Sequence, residues 1–555
     1  MRIALAQTNP TVGDVAGNTE QILAVWREAA AAGADLVVFT ELTVTGYPPE
    51  DLLLKPEFVA ANLAAVDRLA AEGPAGCTAL VGYVAEDATD DDPRPDDEWD
   101  VTVSARRLSN AAAVLRDGEV VGVYRKWRLP NYGVFDEARY FVPDDDALVV
   151  DVAGVPVGIT VCEDLWADAG PVAQAAAAGA RVVANLNASP YHRGKRTDRE
   201  GWARHHATRD RTWLVYVNQV GGQDEVVFDG DSFLMGPDGE VHARAAQFAT
   251  DLVLVDVDVD AGTATRAAGA DAERLSAVAE VWEALVLGVR DYVGKNGFHD
   301  VHIGLSGGID SAVTAAVAAD ALGPEHVTGV AMPSPWSSDH SLTDAEALAR
   351  NLGLTYDVIP IEPAMEAFAQ MLAEQFAGTE PGVAEENVQS RIRGVTLMAL
   401  SNKHGSLVLT TGNKSEMAVG YATLYGDMAG AFAVLKDVDK LLVYELARYR
   451  NTLGPAIPVS TIEKPPSAEL RPDQLDTDSL PPYEVLDPIL EAYVEDDHSI
   501  ERIVADGHDR ATVERIVAMV DRAEYKRRQA PPGVKITDRA FGKDRRVPIT
   551  NAWRG

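Results

Sequence analysis

An apolar run, Val301-His302-Ile303-Gly304-Leu305, turns through Ser306-Gly307-Gly308-Ile309-Asp310-Ser311 into the Ala-rich stretch Ser311 to Leu322. Few folds accept this order, because a buried strand, a glycine turn and a helix call for a sheet whose strands run into helix N-termini. Such a turn aims free backbone N–H groups at an anion. Its glycines permit close approach of phosphate oxygens, and its serine hydroxyls add donors. No lysine follows the second glycine, so this is not the G-x-x-x-x-G-K-[ST] loop. It carries Asp310 instead, and a carboxylate repels phosphate unless a divalent cation lies between them. Gly304, Leu305, Ser306, Gly307, Gly308, Ile309, Asp310 and Ser311 are therefore candidate ATP contacts. They suit an enzyme that holds the β,γ-pyrophosphate and cuts between the α and β phosphates.

At 555 residues the chain is too long for one core. Short β-rich runs alternate with Ala-rich helices up to about Asp260, the clearest strands being Leu36 to Phe39, Val155 to Cys162, Val182 to Leu186 and Leu214 to Val217. Ala261 to Ala272 is small and turn-prone, which places a linker at 263–275 between domains at 1–262 and 276–555. A helix is expected from about Glu273 to Lys295, with Leu275, Val278, Val281, Leu285 and Val289 at helical spacing. Strands and helices then alternate again, as in an α/β domain on a doubly wound parallel sheet. Glu463 to Asp487, rich in Pro, Asp and Leu, reads as an ordered or ligand-ordered loop.

Eighty-six acidic against 49 basic residues give a formal charge of −37. That surface repels nucleic acid and anionic membranes, so neither is an expected partner. The densest acidic run, Glu86 to Asp100, contains two prolines and reads as a solvated loop. No basic leader and no membrane-length apolar segment stand out, and Cys77 and Cys162 are too few for a disulfide framework. A cytoplasmic location is expected.

Cys162 closes the apolar run Val157 to Val161, where a thiol can face a cleft beside a backbone N–H. Glu41 closes Leu36 to Thr40, and Lys126 sits in Tyr124-Arg125-Lys126-Trp127-Arg128-Leu129-Pro130. With these three neighbourhoods in this order, residues 1–260 resemble the nitrilase (carbon–nitrogen hydrolase) superfamily, which implies an α-β-β-α sandwich. The resemblance implies that Glu41 takes the proton of Cys162, that Lys126 faces a tetrahedral oxyanion, and that Glu137 is a supporting acid. A neutral thiol is a poor nucleophile, so the base makes chemical sense. Family members that hydrolyse glutamine carry counterparts of Tyr132, Ser189 and Lys195, which implies L-glutamine as substrate; the residues alone say amidase. Cys77 has no such neighbours and reads as a packed thiol.

The pyrophosphate turn is shared by GMP, asparagine and argininosuccinate synthetases and by itself indicates only AMP-forming chemistry. Met332-Pro333-Ser334, Glu386 to Gly394, Thr410-Thr411-Gly412-Asn413-Lys414-Ser415-Glu416 and Tyr525-Lys526-Arg527-Arg528-Gln529 narrow it. Together they resemble the glutamine-dependent NAD synthetase family over the whole chain. The resemblance implies ATP contact by Thr411, deamido-NAD contact by Asn387, Glu416 and Lys526, and Mg²⁺ on Asp310 and Glu416. It also implies a mobile loop at Glu463 to Leu470, a sheltered route for ammonia and a homo-oligomer. Either glutamine or ammonia would supply nitrogen. The acidic insertion near residue 90 and Asn110 depart from the family pattern and are expected to lie away from the chemistry.

Overall fold

The computed structural model describes residues 1–86, 107–267, 272–471 and 474–553, so the acidic run beyond Glu86 lies outside the described residues. The chain divides into two compact units, Met1–Gln223 with Val227–Leu275, and Asp224–Val226 with Ser276–Gly555.

The first unit opens with β1 (Arg2–Gln7), α1 (Val15–Ala31), β2 (Leu36–Val38), α2 (Pro56–Glu72), β3 (Thr78–Glu86), β4 (Leu108–Arg116) and β5 (Glu119–Arg125). It continues with β6 (Leu148–Val152), β7 (Val155–Val161), α3 (Pro171–Ala177), β8 (Val182–Asn187), α4 (Lys195–Asp210) and β9 (Trp213–Asn218). A hairpin of β10 (Val220–Gln223) and β11 (Val226–Asp229) precedes β12 (Phe233–Met235), β13 (Val241–Arg244), β14 (Asp251–Asp258) and β15 (Thr263–Arg266). Among the described residues, one sheet runs β15-β14-β1-β2-β3-β4-β5 and the other β13-β12-β9-β8-β7-β6.

Side-chain alternation decides the layers. Ile3 and Leu5 of β1 join Val38, Leu80 and Val114 in facing Ile159, Val161, Ala184 and Val215 of the other sheet. Their neighbours Ala4, Val37 and Val81 face outward and are covered by Leu23 and Trp26 of α1 and Leu69 of α2. Val183 and Leu214 are likewise covered by Val172 of α3 and Ala203 of α4. The result is the expected helix–sheet–sheet–helix sandwich. Each fully buried Val or Leu contributes roughly 1.5–3 kcal/mol to holding it. The segment beginning at Thr263 differs from the linker expected there: Thr263–Arg266 pairs antiparallel with Val255–Asp258, because its backbone completes the exposed edge of β14.

In the second unit α5 (Ala277–Lys295) starts later than Glu273, since the Ser276 hydroxyl caps it by accepting the Ala279 N–H. Then come β16 (Val301–Gly304), α6 (Ile309–Leu322), β17 (Val327–Ala331), α7 (Asp339–Leu352), β18 (Thr355–Val358), α8 (Glu362–Leu372) and α9 (Val383–His404). They are followed by β19 (Leu407–Thr410), α10 (Lys414–Val419), β20 (Phe432–Ala433), α11 (Lys440–Thr452) and α12 (Val459–Glu463). The sheet order is β18-β17-β16-β19-β20, parallel throughout, and the order in which strands are added reverses between β16 and β19. A crevice at such a switch point is where doubly wound sheets bind ligands.

The stretch Glu463 to Asp487 holds more regular structure than expected, since α13 (Tyr483–Leu490) begins inside it. Leu486 and Ile489 provide an apolar stripe that packs on α10 and on α14 (Ile500–Ala505) and α15 (Arg510–Arg522). A short helix, α16 (Glu524–Arg527), follows α15. No helix among the described residues is long and apolar enough to cross a membrane.

Candidate active sites

In the first unit four strand ends converge. Glu41 lies just beyond β2, Lys126 just beyond β5, Cys162 at the end of β7 and Ala188 just beyond β8. Lys126 is fully buried, and its Nζ donates to Glu41 Oε1 at 2.7 Å and to both Glu137 oxygens at 2.9 Å. The Ala188 N–H donates to Glu41 Oε2 at 3.0 Å, and the Tyr47 hydroxyl to Glu137 Oε1 at 2.7 Å. Burial alone would lower the Lys126 ammonium, but Glu137 and Glu41 overcome it and hold it well above ordinary lysine. Burial pushes the Glu137 carboxyl up to about 7, against the pull of Lys126. Burial and then the charge of Glu41 push the Cys162 thiol well above its ordinary value.

Cys162 holds φ +44°, a left-handed conformation rare outside glycine, at the first residue of the turn Cys162–Leu165. Asp164 clamps that turn to the lysine segment. Its Oδ2 accepts from the Val161 N–H and the Tyr124 hydroxyl, its Oδ1 from the Trp127 and Arg128 N–H groups. Thiol, cation and base are thus tied together by backbone as well as by charge.

The three residues expected to read glutamine are placed unequally. Tyr132 is exposed and its hydroxyl donates to Glu163, at 3.0 Å to the nearer oxygen. The Lys195 ammonium stands 4.0 Å over the Trp166 ring, and burial, then Arg199, lowers its proton affinity. Ser189 is buried, and its hydroxyl accepts from Arg199, which is paired with Asp229. Asn218 braces the backbone of Ser189 from the end of β9, accepting from its N–H and donating to its carbonyl. Cys77 is buried away from this set, as a packed thiol.

In the second unit a cavity of about 270 Å³ lies over the ends of β16 and β19. It is lined by Gly304, Leu305, Ser306, Gly308, Ile309, Asp310 and Ser311, and by Thr411 and Glu416. Gly307 does not line it. Its φ is +75°, and an added Cβ would sit 2.3 Å from the Ser341 carbonyl, so this glycine lets the turn pass α7. The Ser306 and Ser311 hydroxyls lie 3.2 Å apart at the start of α6.

Asp310 Oδ2 accepts from Lys440 Nζ at 2.5 Å and its Oδ1 from Asn413 Nδ2 at 2.8 Å. Glu416 is 3.5 Å from the same ammonium. Burial, then the charge of Asp310, raises the Glu416 carboxyl to about 8. Two carboxylates offering hard oxygen donors beside a phosphate loop fit Mg²⁺, with Lys440 as their fixed counter-charge. Asn387 and Lys526 line none of this cavity. Both hold the turn after α10: Thr423 Oγ1 donates to Asn387 Oδ1 at 2.8 Å, and Lys526 Nζ donates to the Gly420 and Ala422 carbonyls at 2.7 Å.

Comparison with known proteins agrees with both halves. The carbon-nitrogen hydrolase family matches residues 2–267, and the NAD synthase family residues 281–530. The glutamine-dependent NAD(+) synthetase of Thermotoga maritima is 45% identical, with 100% of this chain and 99% of that protein aligned. That of Xanthomonas campestris pv. campestris is 48% identical over 100% and 98%. The chain belongs to the glutamine-dependent NAD(+) synthetases. The solved glutamine-dependent NAD+ synthetase of Acinetobacter baumannii, in complex with ADP, has a TM-score of 0.78 to it at 42% identity, covering 100% of this chain and 99% of that one.

For this member of the glutamine-dependent NAD(+) synthetases, four residues escaped sequence reading. Glu163 had a signal, its place directly after Cys162. Asp164 was visible in the same motif, but its grip on Trp127 and Arg128 was not. Lys440 stands 130 positions from Asp310, and nothing local marks it. Asn110 corrects an expectation: it lies inside the chemistry, not away from it. The residue faces inward from β4, and its Nδ2 donates to Glu41 Oε1 at 2.7 Å and to Glu137 Oε2 at 3.3 Å.

Proposed function

We propose that the chain makes NAD from deamido-NAD, ATP and glutamine, releasing AMP, pyrophosphate and glutamate. The observation that carries this reading furthest is Lys126 clamped by Glu41 and Glu137 beside a strained Cys162, in a chain whose other unit offers a pyrophosphate loop.

At the first site Cys162 starts as a neutral thiol, since burial and the charge of Glu41 favour that form. Glu41 takes the proton as sulfur attacks the glutamine side-chain carbonyl. Lys126 and the backbone N–H after Cys162 face the developing oxyanion. The C–N bond breaks, the proton leaves with ammonia, and water attacks the thioester with Glu41 again as base. Glu163 and Lys195 carry opposite charges suited to the α-ammonium and α-carboxylate of the amino acid, with Tyr132 orienting Glu163 and Ser189 shaping the wall.

At the second site the loop from Ser306 to Ser311 receives pyrophosphate as the nicotinate carboxylate of deamido-NAD attacks the α-phosphorus. Asp310 and Glu416 would hold Mg²⁺, which when bound offsets the phosphate charge. Thr411 contributes to ATP contact from the end of β19. Ammonia then attacks the acyl adenylate, AMP leaves, and the amide forms. Asn387 and Lys526 act for deamido-NAD by holding the 420–427 turn. We place the enzyme in the cytoplasm, where ATP is made available, and as a homo-oligomer, for which the exposed Val383 and Val395 on α9 give support.

The experiment is NAD formation from deamido-NAD, ATP and Mg²⁺, with glutamine or ammonium chloride as nitrogen source. NAD from both with AMP as co-product is expected. Glutamine hydrolysis without NAD from either source would leave an amidase with the wrong acceptor assigned.

A further inference from the structure

Asn110 touches both carboxylates of the buried cluster with its side chain and the backbone of its lysine with its carbonyl. The β4–β5 pairing sets Ala111 opposite Arg125, and the next step along it brings the Lys126 N–H to the Asn110 carbonyl at 2.8 Å. Its side-chain amide donates to Glu41 Oε1, the same oxygen that accepts from Lys126, and also to Glu137 Oε2. The residue is fully buried, and its Oδ1 has no hydrogen-bond partner among the described residues. An unpaired buried acceptor destabilises a fold, so packing alone would favour an apolar side chain here. The amide is kept for its N–H groups, which face two carboxylates.

We infer that Asn110 is a positioning residue for glutamine hydrolysis, spacing the base Glu41 from Glu137 and fixing the orientation in which Glu41 serves as base. The inference rests on the glutaminase reading above. Two carboxylates that share one lysine repel each other, and a donor placed between them holds both without adding charge. It also leaves Glu41 Oε2, which accepts from the Ala188 N–H, as the oxygen not shared with Lys126. Without the Asn110 N–H groups neither carboxylate keeps that donor, and Glu41 is free to leave the orientation in which it serves as base. The other charged or titratable groups acting on Glu41 are Lys126, Glu137, Tyr47, Cys162 and Glu163. None of them is altered by substitution at 110.

The test compares the full-length wild type with Asn110→Leu, nearly isosteric and without a donor, and with Asn110→Ser, which keeps one. Glutaminase kcat and KM are measured across pH, with ammonium-fed NAD synthesis and the thermal unfolding midpoint recorded in parallel. For Asn110→Leu the expected result is a kcat on glutamine lower by up to about 100-fold at similar KM. Asn110→Ser should fall between the two, a graded recovery that a filler of space would not show. An Asn110→Leu enzyme that folds and keeps the wild-type kcat on glutamine overturns the inference. If Asn110→Leu does not fold, Asn110→Ser decides, and a wild-type rate overturns it. Wild type that hydrolyses no glutamine would instead sink the glutaminase reading itself.

Discussion

The two sites manage charge in opposite ways. Around Cys162 the charged groups are sealed from water and every carboxylate oxygen has a donor: Lys126 serves two carboxylates, and Asn110, Tyr47 and a backbone N–H serve the rest. Around Asp310 one lysine faces two carboxylates beside an open cavity. The difference follows from the substrates proposed for them. A neutral amide brings no charge, so the protein must balance its own. A polyphosphate with a divalent cation brings a great deal, and a site that balanced itself beforehand would have to break pairs to bind.

The largest effects separate the sites outright. Cys162→Ala should cut glutamine-driven NAD synthesis on the order of 1,000-fold or more while sparing the ammonium-fed rate. Equal loss with both nitrogen sources, read by NAD formation, would merge the two sites into one. Asp310→Asn should lower both rates by roughly 100-fold or more, because it removes a carboxylate that would hold Mg²⁺ beside the pyrophosphate. Retained turnover in magnesium-limited assays would take Asp310 out of that role.

A smaller effect probes the sealed site through pH. The Glu137 carboxyl is held at about 7 in the fold against an ordinary 4.5, so the folded state keeps a proton that the unfolded chain has released. Its contribution to stability is full below about pH 4.5 and is lost as pH rises toward 7. Glu137→Gln should therefore flatten the fall of the first unit's thermal midpoint across that window. It should also slow glutamine hydrolysis by about 100-fold, since Lys126 loses one anchor. A midpoint whose pH dependence matches wild type would show that another group titrates there.

The smallest expected change is at Lys526, whose ammonium donates to carbonyls just beyond α10. Lys526→Met should cost about 1 kcal/mol of stability and raise the KM for deamido-NAD only slightly. A rise well above tenfold with unchanged stability would mean that Lys526 leaves those carbonyls and meets the dinucleotide directly.

Much of both sites was legible in the chain because their chief residues close recognisable strands. Glu41, Lys126 and Cys162 each follow an apolar run, and a strand end is where a side chain leaves the sheet for a cleft. The pyrophosphate turn is wholly local, since Gly304 to Ser311 runs from the last residue of β16 into the first turn of α6. The linker at 263–275 was less legible, since Thr263–Arg266 looks turn-prone by composition yet is held by pairing to β14. The start of α13 was hidden for a similar reason: its apolar stripe acquires meaning only against α10 and α15.

By itself the sequence determined the kinds of chemistry present, since a thiol, a base, a cation and a phosphate turn are properties of residue types and short spacings. It determined the α/β character of both halves through the period of their apolar residues. Only the tertiary structure decided which charges meet. Lys440 reaches Asp310 from 130 positions away, and Asn110 comes between Glu41 and Glu137 because β4 and β5 are paired in one register. Electrostatic and hydrogen-bond strength depends on distances of a few ångströms and on exclusion of water, and neither exists until the sheets have closed over their core.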